Sequence, residues 1–294
     1  ALPKKMIIIG SGAIGSEFAY YYNEFGTEIH MVEMLDRMLP IEDIDVSKEV
    51  EKSFKKVGIK VSTETKVSKI ESLKTKVKVY IEKNGKEEIL EGDVALLAVG
   101  VTGNIEKIGL EEIGIKTDRG AITINEFNQT NIPNIYAIGD VSGPPWLAHV
   151  ASAQGHVAAD HLAGHSPKPV DYSNIPGCTY CQPQVGSLGM TEAQAKDAGH
   201  DVKVGKFLFQ ASGKAMAVGD TTGFVKLVFD AKYGELLGAH IVGSEATELI
   251  AELGLAKALE TTWEEIAMTV HAHPTLSEAI MEAALDAFGS AIHQ

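Results

Sequence analysis

Apolar positions in this chain fall into strand-like runs separated by stretches of helical spacing. Met6-Ile7-Ile8-Ile9 is continuous apolar sequence, the pattern of a strand covered on both faces in a parallel sheet. A helix-like run follows, and Glu28-Ile29-His30-Met31-Val32-Glu33 reads as a second strand. Leu35 to Asp45 is an irregular connection with Pro40 and several carboxylates. Val46, Val50, Phe54 and Val57 then stand at helical spacing with lysines and glutamates between them, and Gly58 stops that helix. Ile59 to Val61 is a short strand. Lys66 to Ile70 leads into the alternating run Val77 to Ile81, which Asn84-Gly85 turns back toward Glu87, Ile89 and Leu90 as a hairpin. Asp93 to Gly100 reads as a buried strand ending in glycine. The order is β-α-β, an antiparallel insertion, then a further core strand, which makes one domain over residues 1–103.

The pattern changes from Asn104. Gly109 to Ile124 is turn-rich, and Asn131 to Asp140 reads as an apolar strand with Asp140 at its carboxyl end. A helix opens at Trp146-Leu147-Ala148-His149 and runs through Ala151, Gln154, Val157 and Ala158. Pro167 and Pro169 mark a linker. Beyond it, strands over Phe224–Asp230 and Glu235–Gly243 precede helices, an order that predicts helices on one face of an antiparallel sheet. Ser244 is placed to cap a helix through Leu259. Thr262 with Glu265, and Thr275 with Glu278, each fit a capping box. There is no internal repeat and no low-complexity stretch.

Composition narrows the possibilities. With 294 residues the chain can hold two domains with their own cores. The formal net charge of −14 argues against nucleic acid or an anionic membrane as partner, and no apolar run approaches a membrane span. Two cysteines give no disulfide framework, so an intracellular setting is expected. The chain begins at Ala1-Leu2-Pro3, almost on its first strand, which suggests that something belongs in front of it.

The first candidate site is the turn after the first strand, Gly10-Ser11-Gly12-Ala13-Ile14-Gly15. This G-x-G-x-x-G follows a strand and opens a helix. Gly10 allows a tight turn, Gly12 lets backbone approach a pyrophosphate, and Gly15 lets helix pack on sheet. Phosphates would sit on the unpaired N–H groups of the helix N-terminus. Glu33, ending the second strand, can bond ribose hydroxyls and repel a 2′-phosphate, which favours NAD over NADP. Asp140, at a strand end before a helix, suits a second nucleotide site or a turn. Cys178-Thr179-Tyr180-Cys181 has no second ligand pair for zinc and lies in strand-like sequence, which argues against a metal site or redox centre. In His271-Ala272-His273-Pro274-Thr275-Leu276-Ser277-Glu278, Pro274 holds His273 on a rigid turn. Glu278 can reach one imidazole nitrogen and make the other a general base. On spacing alone, a capping box with two turn histidines is the preferred account of the run, and His271 reads as structural or solvating.

Taken together, these segments resemble the pyridine nucleotide–disulfide oxidoreductases, and within them the branch that oxidises dihydrolipoamide. The matching stretches are Ile9 to Glu17, Ala98-Val99-Gly100, Ile135 to Asp140, Leu147-Ala148-His149 and His271 to Glu278, in the family's order. The resemblance implies an α/β fold with a Rossmann-like NAD-binding domain (1–103). A central segment completing the FAD site (104–171) and an α+β interface, or dimerisation, domain (172–294) would follow. It implies NAD contacts at Gly10, Ser11, Gly12, Ala13, Ile14, Gly15, Glu33, Val67 and Gly100. Flavin contacts would lie at Asp140, Trp146, Leu147, Ala148 and His149, with Glu17 near flavin and nicotinamide. His273, oriented by Glu278, becomes the base, acting across a homodimer axis, and lipoyl domains of 2-oxo acid dehydrogenase complexes become partners. The expected place is the cytoplasm, or the mitochondrial matrix in a eukaryote.

Two departures stand out. Val101-Thr102-Gly103 replaces the family's usual arginine, and the family's flavin domain with its C-x-x-x-x-C pair is absent. FAD would therefore bind only once that domain is supplied, and the chain alone is expected to be inactive: a shortened form, a proteolytic product or half of a split gene. An NADPH-dependent reductase of the same family and a non-catalytic dimeric NAD-binding module are the rival readings, and Glu33 weighs against the first.

Overall fold

The computed structural model describes residues 1–293. Among these, residues 1–99 and 176–293 belong to one compact unit, and Gly100–Ile175 form another.

The first unit begins with β1 (Lys5–Ile9), α1 (Ala13–Glu24), β2 (Glu28–Val32), α2 (Ile44–Lys56) and β3 (Lys60–Ser62). The meander β4 (Lys66–Ser72), β5 (Val77–Lys83) and β6 (Lys86–Gly92) follows, and β7 (Val94–Leu97) returns to the first sheet. The parallel sheet runs β3-β2-β1-β7, and the antiparallel meander β4-β5-β6. Asn84 and Gly85 both take positive φ (52° and 74°), so Lys83 pairs with Lys86 across a two-residue turn. β1 is buried from Met6 to Ile9, as a strand paired on both sides must be. β7 departs from the expected buried strand: it pairs only with β1, and Leu97 is 63% exposed at the sheet's edge.

The second unit holds a short hairpin, β8 (Thr117–Asp118) with β9 (Ala121–Ile122), a 3-10 turn at Gly139–Ser142, and α3 (Ala148–Leu162). The strand expected before Asp140 does not form. Thr130 and Ile135 close a turn on themselves, with Thr130 N–H donating to the Ile135 carbonyl and Ile135 N–H to that of Ile132. One isolated bridge, Gln129 with Tyr136, is all the pairing that remains.

The rest of the first unit comprises β10 (Gly177–Thr179), β11 (Gln184–Gly189), α4 (Glu192–Asp197), β12 (Val202–Leu208), α5 (Gly213–Val218), β13 (Phe224–Asp230) and β14 (Leu236–Gly243). The chain then folds into α6 (Ala246–Ala258), α7 (Trp263–Met268) and α8 (Glu278–Ala287). The antiparallel sheet runs β10-β11-β14-β13-β12. Leu227, Phe229, Ala239 and Ile241 share a core with Ile250, Leu253, Ile266 and Ile280 from the C-terminal helices. Cys181, Val185, Phe224 and Val242 instead pack with Ala19, Val46, Val50 and Phe54 of α1 and α2. The mixed α/β fold, with helices laid on an antiparallel sheet, is as expected.

A polar seam joins these two halves. Lys206, Lys226, His240 and Ser187 are register partners across β12, β13, β14 and β11. Lys226, only 2% exposed, pairs with Asp43 at 2.9 Å, Glu192 at 2.9 Å and Asp45 at 3.2 Å. Asp43 also caps α2 by accepting the Asp45 N–H. A buried ammonium needs this enclosure by carboxylates, because alone its desolvation is prohibitive.

Two capping expectations need correction. Ser244 does not cap α6: Glu245 occupies that position at φ 58° with no side-chain bond. Gln184, from β11, instead accepts the Thr247 N–H and hydroxyl. At α8 only half of the box forms. Glu278 accepts the Thr275 N–H, but the Thr275 hydroxyl donates to the Ala272 carbonyl, and Ser277 stands at the N-cap. The Thr262–Glu265 box is complete.

Candidate functional site

Three glycines fix the turn after β1, each through its own surroundings. Gly10 sits at φ +98°, and a Cβ there would lie 2.3 Å from the Ala98 carbonyl oxygen. A Cβ at Gly15 would lie 2.1 Å from the Gly10 carbonyl oxygen. Both positions exclude any side chain. Gly12 differs: its backbone is ordinary extended (φ −66°, ψ −174°), and nothing lies within 4 Å of its missing Cβ. Open space thus stands before the N-terminus of α1, which has no side-chain cap and no acidic residue in its first turn. Its N–H groups and positive dipole end, carried by Ala13, Ile14 and Gly15, are available to an anion.

Glu33 follows β2 and is 8% exposed. Its Oε2 accepts from the Ser11 N–H at 2.8 Å and the Ser11 hydroxyl at 2.9 Å, and Oε1 accepts from the Leu35 N–H at 2.9 Å. A carboxylate oxygen can accept two bonds, and among the described residues Oε1 has this one donor. Val67, on β4, packs against the cluster containing Ile9 and Val32, close to the strand that delivers Glu33. Glu17, on α1, accepts the Tyr180 N–H from the loop after β10 at 2.9 Å. The Ser11–Glu33 pairing has no local sequence signal, because its partners are 22 residues apart.

The second unit carries Gly100, Asp140 and Trp146 to His149. Asp140 is an exposed residue of the 3-10 turn, and Leu147 begins α3 without a side-chain cap. The turn is pinned by buried Gln154, whose Oε1 accepts the Gly139 N–H at 2.6 Å and whose Nε2 donates to the Tyr172 hydroxyl at 2.8 Å. A lone amide on the buried face of an apolar helix was its only mark in the sequence.

The terminal turn brings His273 and Glu278 together. His273 Nδ1 lies 2.9 Å from Glu278 Oε1, and the ring is 78% exposed. A carboxylate accepts only, so Nδ1 carries the proton and Nε2 is the basic nitrogen. The Thr275 N–H, then the His273 contact, hold Glu278 below the usual glutamate range. His271 differs: its side chain is only 5% exposed and lies between Glu252 and the Thr269 carbonyl.

The cysteines do not pair. Cys178 packs against the core under the C-terminal helices, whereas Cys181 lies in the core shared with α1 and α2. Burial pushes the Cys181 thiol up to about 12 and raises Cys178 as well, so neither is a ready thiolate.

Comparison with known proteins defines the class. Residues 1–155 match the pyridine nucleotide-disulphide oxidoreductase family, and residues 175–284 match the dimerisation domain of that family. The chain belongs to the pyridine nucleotide-disulphide oxidoreductases. Among its relatives, the dihydrolipoyl dehydrogenase of Rhizobium etli is 48% identical over 100% of this chain and 61% of its own length. That of Zymomonas mobilis is 49% identical over 100% of this chain and 63% of its own length. The chain therefore spans about three fifths of the relatives it matches. Among solved structures, LpdA from Mycobacterium tuberculosis superposes with a TM-score of 0.88 at 29% identity, covering 97% of this chain and 61% of that one. RclA from Escherichia coli, described as an HOCl-induced flavoprotein disulfide reductase, gives 0.89 at 26% identity, covering 97% and 65%. Among the described residues no helix is long and apolar enough to cross a membrane.

Proposed function

We propose that this chain is the nicotinamide-nucleotide-binding and subunit-interface part of a dihydrolipoamide dehydrogenase. The observation that carries the reading is the open surface at Gly12, set between an uncapped helix N-terminus and a buried Glu33 whose Oε1 can accept a second bond. The residues present fit NAD. The first-turn N–H groups of α1 suit a pyrophosphate, and Glu33 suits an unmodified ribose while repelling a 2′-phosphate. The nicotinamide, when bound, supplies the hydride acceptor, and the flavin, when bound, carries electrons toward it.

This chain's own contribution to the chemistry is a proton acceptor. His273 Nε2 takes the proton of a substrate thiol, and Glu278 holds the opposite nitrogen as donor and stabilises the imidazolium that results. A thiol is only slightly ionised near neutrality, so its attack on a disulfide gains from such a base. The exposed ring suits a base that serves a neighbouring subunit, which makes a homodimer the working state and lipoyl domains the substrate carriers. The only cysteines in the sequence, half-buried Cys178 and buried Cys181, pack against separate cores, so the redox disulfide must come from elsewhere and the chain alone does not turn over. Flavin binding likewise requires more than the Asp140 turn and the α3 N-terminus.

Calorimetric titration tests the cofactor reading. NAD⁺ binds more tightly than NADP⁺, and Glu33→Ala removes that preference. Tighter NADP⁺ binding by the unaltered chain defeats the reading in favour of an NADPH reductase.

A further inference from the structure

The terminal turn carries a second histidine, His271, which pairs with Glu252 of α6 and which the reaction above does not use. His271 has a side chain only 5% exposed. Its Nδ1 lies 2.9 Å from the Thr269 carbonyl oxygen and its Nε2 2.8 Å from Glu252 Oε1. A carbonyl can only accept, so Nδ1 bears a proton. A carboxylate at Nε2 then calls for a second. The ring is a buried imidazolium, tied by Glu252 to α6 and by Thr269 to the end of α7.

The charged groups around it come from three helices. Glu252 reaches it from α6. Glu265, from α7, lines the same hollow, but its carboxylate is occupied by the Thr262 N–H and hydroxyl. Glu278, from α8, is a neighbouring charge, and His273 follows two residues along the same turn. The Glu252 bond outweighs burial and holds His271 above the ordinary imidazole range. His271 in turn adds to the groups that keep Glu278 ionised, after the Thr275 N–H and His273.

We propose that Glu252 and His271 are a positioning pair for the His273–Glu278 dyad. The clamped imidazolium fixes the turn that carries His273 and supplies positive charge behind the carboxylate that grips it. This rests on the reading of His273 as proton acceptor, but its test does not use turnover.

In the full chain, carbon-13 NMR follows the Glu278 carboxylate while pH is lowered, and imidazole resonances report His271. His271→Gln should raise the Glu278 midpoint by about half a pH unit, through loss of a nearby positive charge. Glu252→Gln should bring the His271 midpoint down toward about 6.5, the free imidazole value. A purely structural role lowers the melting temperature of either variant and leaves the Glu278 midpoint in place, which overturns the proposal. Should His271→Gln fail to fold, Glu252→Gln keeps the ring and its Thr269 bond and carries the test. An unaltered chain in which His271 titrates like free imidazole also overturns it. Turnover that survives His273→Gln, once a flavin domain is supplied, would instead defeat the reading of His273 itself.

Discussion

At the Gly10–Gly15 turn the backbone closes only because side chains are missing, whereas at the His271–Glu278 turn the backbone is held by side chains that find one another. Gly10 and Gly15 each face a carbonyl oxygen within 2.3 Å of where a Cβ would sit. His271 and His273 are each held by a carboxylate on a helix, at 2.8 and 2.9 Å. The first region imposes sterics that a residue's identity alone reveals. The second depends on pairs that exist only after folding. The two therefore differ in what breaks them: added bulk in one, lost partners in the other.

The seam that joins the halves carrying these regions offers the largest effect. Lys226→Ala leaves Asp43 buried without its counter-charge, and a loss of roughly 3–5 kcal/mol is expected in denaturant unfolding. The pH dependence has a definite sign. Despite burial, the Lys226 contacts keep Asp43 and Asp45 below the usual aspartate range, and the Asp43 and Glu192 contacts keep Lys226 above the usual lysine range. The carboxylates contribute stability that is present above about 4, their unfolded value, and is lost as pH falls through the folded one. The lysine's contribution is present below about 10 and is lost as pH rises through its folded value. In Lys226→Met the acid limb flattens, and a limb as steep as that of the unaltered chain would place the acid sensitivity elsewhere.

A smaller loss is expected at the glycine turn. Gly15→Ala drives a methyl into the Gly10 carbonyl, which neither backbone segment can yield easily, and costs roughly 1–3 kcal/mol. Thermal melting reads it directly, and an unchanged midpoint would show that α1 can lift off β1. Ser11→Ala is milder. It removes one of three bonds to Glu33, with a loss of about 1 kcal/mol, and frees a second acceptor site on Oε2. The effect on NAD⁺ affinity is therefore a gain or no change, and a loss would mean that the hydroxyl itself contacts the nucleotide.

The same contrast explains what could be read from the sequence. The Gly10–Gly15 turn, the Asn84-Gly85 hairpin and the α2 stripe of Val46, Val50 and Phe54 are local rules, and the structure follows them. Where a distant residue decides, local reading fails. Gln184 caps α6 in place of Ser244, 60 residues away in sequence, and Glu252 turns His271 from a turn residue into a clamped cation. The apolar run before Asp140 looked like a strand because composition does not show that Thr130 and Ile135 bond to each other and close a turn. The Ser11–Glu33 link is hidden in the same way, because 22 residues separate its partners.

The central claim is that open space at Gly12 exists to admit a dinucleotide. Gly12→Val tests it most directly, because the extended backbone there accepts a β-branched residue and nothing lies within 4 Å of the position its Cβ takes. Melting and NAD⁺ calorimetry on this one variant give the answer. The account predicts an unchanged melting temperature with NAD⁺ binding abolished. A folded Gly12→Val protein that binds NAD⁺ as the unaltered chain does would contradict it.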